Sequence, residues 1–156
     1  MRATVIKLST NSASKKVFDM LNEQGLTYPT GFNKVAPELP DDITLIDDDK
    51  LMKLFSSYTE YSAFLLMQIS AARIDEETSD KKLQVFEAEF IAKAPKGETV
   101  AKTKAIVMAQ PEFTALQYDA DVARHYRTLV ESIQQGVEEG TKVVSREITR
   151  RKQAMF

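Results

Sequence analysis

Residues 47 to 94 read DDDKLMKLFSSYTEYSAFLLMQISAARIDEETSDKKLQVFEAEFIAKA, a stretch without proline or glycine. Asp47, Asp48 and Asp49 supply an N-cap and negative charge at the positive end of a helix dipole. Stepping alternately by four and three from Leu51 meets Phe55, Tyr58, Ser62, Leu65, Ile69, Ala72, Glu76, Ser79, Leu83, Phe86 and Phe90. That seven-residue repeat predicts one long helix with an apolar seam. We read Leu51, Phe55, Tyr58, Leu65, Ile69, Leu83, Phe86 and Phe90 as a seam for self-association. The repeat is interrupted at Glu76 and Ser79, inside a charged run, which predicts either a bend or a solvated stretch.

Downstream, Pro95-Lys96-Gly97 ends this helix, since proline lacks an amide donor and glycine favours a turn. A short helix over 99 to 110 follows, and Pro111-Glu112 opens a second long one. Its apolar stripe runs through Leu116, Ala120, Ala123, Tyr126, Val130, Ile133, Val137, Val144 and Ile148. At about 1.5 Å per residue the two long helices span on the order of 60 to 70 Å each and match in length. The fold read from these signals is all-α: an elongated antiparallel hairpin with a short intervening helix and a partly extended N-terminal arm. So long a hairpin exposes apolar surface, so an oligomeric ring or bundle is expected.

Upstream, residues 2 to 8 are rich in β-branched types and suggest a short strand. A helix then starts after cap candidates at 11 to 14, runs to Gln24 and stops at Gly25. Pro29, Gly31, Pro37 and Pro40 exclude continuous helix over 26 to 46. Tyr28, Phe32, Val35 and Leu39 on this arm pack on the chain's own bundle or reach a neighbour. The chain thus divides into residues 1 to 46 and a helical part from 47 to 156.

Composition narrows the function. The 156 residues are 43% hydrophobic with a net charge of −2, so any nucleic-acid binding must come from a local patch. No cysteine is present, which excludes thiolate nucleophiles and cysteine-ligated metals and suits a reducing compartment. The first residues lack an apolar leader and no stretch has the run of a membrane span, so a cytoplasmic protein is expected.

Catalytic parts are scarce. His125 is the one histidine and has no second histidine four residues away, so it reads as a surface or interface residue. The glycines stand apart and form no phosphate loop. The runs Asp41-Asp42 and Asp47-Asp48-Asp49 lack the alternating ligands of a calcium loop and serve as caps. No enzyme, cofactor or metal is expected. Gly136 and Gly140, one turn apart, suggest close helix packing or a bend. Tyr58, Tyr61 and Phe64 are aromatics at core spacing, with base stacking as the alternative.

The last turns carry the sharpest charge asymmetry. Lys142, Arg146, Arg150, Arg151 and Lys152 face Glu147 alone within 141 to 156, a balance of +4. Lys142, Arg146 and Arg150 fall four apart and line one helix face, where they would meet phosphates, with Ser145 and Thr149 as neutral donors. The competing account is that cations complement the negative end of the dipole. Lys96, Lys102 and Lys104 near the inter-helix turn would extend a basic surface.

The long helix with its lysine-bearing turn, then Pro111-Glu112-Phe113-Thr114-Ala115-Leu116-Gln117-Tyr118 leading to a basic-ended helix, resembles the UvsY-type recombination mediators of T4-like phages. The likeness covers roughly residues 50 to 152 and is one of layout. It implies an oligomer that binds single-stranded DNA and helps load a recombinase, or another phage protein, in a host cytoplasm. The other class in view is a structural adaptor of a virion or assembling complex.

Overall fold

The computed structural model describes residues 12–26 and 35–155. The strand expected over 2 to 8 and the arm's Tyr28 and Phe32 lie outside them. Among the described residues every regular element is helical: α1 (Ala13–Glu23), a single 3-10 turn (Ile43–Leu45), α2 (Asp48–Ala92), α3 (Val100–Met108) and α4 (Pro111–Ala154).

Each boundary has a local cause. The Ser12 side chain accepts the Lys15 N–H and starts α1. At its far end Gly25 takes a φ of 75°, and the amides of Gly25 and Leu26 donate to the Asn22 and Leu21 carbonyls at 3.0 and 2.9 Å. This paired closure satisfies carbonyls that the last turn leaves open. Asp47 accepts from the Lys50 N–H at 2.8 Å and starts α2. Gly97, at a φ of 102°, makes the turn after α2, and Thr99 caps α3 through the Lys102 N–H. Pro111 sits in the first turn of α4, where its missing N–H costs nothing.

Helices α2 and α4 pack antiparallel along their lengths. Contacts tie Asp48 to Arg151, Ser62 to Gln134, Asp80 to Arg124 and Phe86 to Phe113, so residue numbers rise on one helix as they fall on the other. The core consists of Leu51, Tyr58, Leu65 and Ile69 from α2 with Val130, Val137 and Val144 from α4. Leu51, Tyr58 and Leu65 recur at seven residues with Ile69 four further on, and the three valines recur at seven, the spacing that keeps a seam facing its partner.

This placement corrects the reading of the α2 seam. Leu51, Tyr58, Leu65 and Ile69 are buried inside the one chain, and Phe55 borders the same core. Phe86 stacks obliquely on Phe113 at 6.5 Å and on Phe90 at 6.4 Å, while Leu83 is half-buried. The seam is filled by α4 of the same chain.

The charged interruption is covered by α4 at Glu76, while Glu77, Lys81 and Lys82 stay exposed. Glu76, whose side chain is only 13% exposed, accepts hydrogen bonds from Arg127, and Arg124 lies 3.5 Å away. Arg127 also bonds Glu131 at 2.7 Å, and Glu131 in turn takes Arg73 at 3.1 Å. Helix α2 continues unbroken through this layer because α4 brings arginines opposite the acids. The guanidinium of Arg127 is held even more firmly charged by its bonds to Glu76 and Glu131.

The described N-terminal part lies on the hairpin. The Ser14 amide and hydroxyl donate to the two Asp75 carboxylate oxygens at 3.0 and 2.8 Å, and Phe18 is buried. On the arm, Leu39 is 40% and Val35 78% exposed, so Val35 stands largely in solvent. No helix among the described residues is long and apolar enough to cross a membrane.

Candidate nucleic-acid interface

The end of α4 divides its five cations between two tasks. Glu147, on the inward side, has a side chain 6% exposed, and Val144 beside it is fully buried. Arg150 reaches back to Glu147 with two bonds of 2.7 Å, and Arg151 adds one of 2.8 Å. These donors hold the Glu147 carboxyl down at about 2, against an ordinary 4.5, with Arg150 the larger cause.

Arg151 does more. Its guanidinium bonds Asp48 at 2.7 Å and the carbonyls of Ile43 and Thr44 at 3.2 and 3.3 Å, with a side chain only 16% exposed. It therefore fastens the end of α4 to the start of α2 and the 3-10 turn. Of the residues expected to meet phosphate, Arg151 is the one the fold turns inward. Arg151 is also the partner that Asp48 and two open carbonyls require, which local spacing does not reveal.

Lys142, Arg146, Arg150 and Lys152 are exposed. Lys142 bonds Glu139 at 2.7 Å with both side chains more than half exposed, a surface pair that a phosphate can displace. Lys142, Ser145, Arg146, Thr149 and Lys152 recur at steps of three and four residues, so they share one outward strip about 15 Å long at 1.5 Å per residue. The Arg150 fork, bound to Glu147, lies to the side of that strip. Thr149 also donates its hydroxyl to the Ser145 carbonyl at 3.0 Å.

The aromatic group belongs to the packing. Tyr58 is buried, while Tyr61 and Phe64, 6.0 Å apart, border the core. Burial pushes the Tyr58 hydroxyl up in pKa, with Glu38 adding to it. Lys104 pairs with Glu87 and Lys102 with Glu98, away from the α4 end. His125 is exposed on α4. Among the described residues no group of His, Asp and Glu is arranged to hold a metal ion. No family model, curated protein or solved structure matches this chain.

Proposed function

We propose that this chain is a non-catalytic helical protein that self-associates and binds single-stranded DNA along the end of α4, assisting the loading of a recombination or replication protein. The observation that carries this reading is the exposed strip of Lys142, Arg146 and Lys152 with Ser145, displaced from the cations that Glu147 engages. Three point charges on a helix end make a weak site alone, and several copies on one strand multiply it. Repulsion from an overall charge of −2 is small and acts at a distance that physiological salt screens.

The test is binding of labelled single-stranded DNA at two salt concentrations, with the parent chain and a Lys142→Gln, Arg146→Gln, Lys152→Gln variant. Phosphate contacts give a steep salt dependence that becomes shallower by about 0.7 per contact removed. No binding by the parent would favour the structural adaptor. That second reading rests on the apolar residues left on the outer side of α4, among them Leu129 at 64% and Ile133 at 48% exposure.

A further inference from the structure

The outer side of α4 carries a second, unused stripe. Tyr118, Val122, Leu129, Ile133 and Val143 are exposed, Tyr118 and Leu129 by more than 60%. Val122, Leu129, Gly136 and Val143 recur at seven residues, the period that keeps one face towards a second helix. Gly136 stands in that series without an internal reason. A Cβ there would meet nothing within 4 Å, whereas one at Gly140 would strike the Tyr58 ring. A glycine inside a helix is unfavourable and is retained where another backbone approaches closely.

Charge selects the partner and its direction. Residues 111 to 121 of α4 carry Glu112, Asp119 and Asp121 with no cation, and residues 142 to 152 carry five cations against Glu147. Two parallel copies of α4 would set like charges together. Two antiparallel copies set the acidic start of each against the basic end of the other.

We propose that a second copy of this chain docks antiparallel on this stripe, Leu129 of each lying over Gly136 of the other and Val122 opposite Val143. Both pairings have their midpoint between Ser132 and Ile133. That is also the midpoint of α4 itself, so the same register overlaps the two helices from end to end. The interface is isologous, as a two-fold dimer requires. Arg150 then falls between Glu112 and Asp119 of the copy. Lys142 and Thr149, each one position before a stripe residue, lie about 100° round the helix and stay open to a strand. The proposal rests on the self-association invoked above and assigns it a face.

The absence of native cysteine allows a clean test. Ser132→Cys, at the two-fold, is oxidised in the full chain beside Ser70→Cys, an exposed control on α2. The expected result is a disulfide-linked dimer from Ser132→Cys at ten or more times the yield of Ser70→Cys. An equimolar mixture of Val122→Cys and Val143→Cys should give the mixed dimer in preference to either self-dimer. Gly136→Gln should raise the dimer dissociation constant at least tenfold without lowering the melting temperature of the dilute chain. Equal cross-linking of the two serine positions in a chain whose solution mass exceeds 17.6 kDa would overturn this face alone. A parent that stays monomeric at micromolar concentration would overturn the self-association too.

Discussion

Gly140 of α4 lies against the ring of Tyr58 of α2 so closely that a Cβ at this position would sit 2.7 Å from Cζ and 2.8 Å from the hydroxyl oxygen. The tyrosine is buried and its ring is enclosed by the core, so it has little room to retreat. Glycine here is a packing requirement rather than a helix stop.

Gly140→Ala and Gly136→Ala therefore have opposite effects, though both replace a helical glycine in the same element. Alanine at Gly136 should stabilise the dilute chain by up to about 1 kcal/mol through helix propensity. At Gly140 the same gain is outweighed by overpacking of about 1 to 3 kcal/mol, for a net loss. Urea unfolding followed by helix signal measures both, and equal effects would contradict the contact.

Leu65 lies in the middle of the α2 core and is 4% exposed. Leu65→Ala should cost about 2 to 5 kcal/mol, the range for a buried leucine that leaves a cavity. The change should show as an earlier unfolding midpoint with an unaltered slope.

Tyr126 has a buried hydroxyl with no hydrogen-bond partner among the described residues. Burial, with the nearby Asp75 charge, pushes its pKa up. Tyr126→Phe removes the unsatisfied group and keeps the ring, so stability should hold or rise by up to about 1 kcal/mol. A loss beyond about 1 kcal/mol would show that the hydroxyl is engaged in solution.

Acid should weaken the hairpin through its paired carboxylates. Glu147 is held at about 2, and Glu131 is lowered by Arg73 and then Arg127. Because these pKa values are depressed in the folded chain, their stabilisation is complete above the ordinary 4.5 and is lost as pH falls from there towards 2. Unfolding midpoints measured at pH 7, 4 and 2.5 should show a plateau and then a fall. Glu147→Gln should flatten part of that fall.

The hairpin was legible because its punctuation is local: Asp47 caps α2, Pro95 and Gly97 end it, and Pro111 opens α4. What faces a seam is not local. The spacing of Leu51, Tyr58 and Leu65 says that these residues share a side, and it is silent on whether α4 or another copy covers it. Glu76 looked like a gap because its partner Arg127 is 51 positions away. Arg151 looked like its basic neighbours for the same reason, since Asp48 lies 103 positions back.

That separation sets what each contact costs in chain entropy. Contacts near Pro95 and Gly97 close short loops, and each pair farther along the two helices closes a longer one, so the entropic cost of closure rises outward from the turn. The Arg151 cluster, reaching Asp48, Thr44 and Ile43 across 103 to 108 positions, closes the longest loops spanned by a hydrogen bond among the described residues. It works as the catch on a zip: while it holds, the loose ends of both long helices share a single fraying event instead of two.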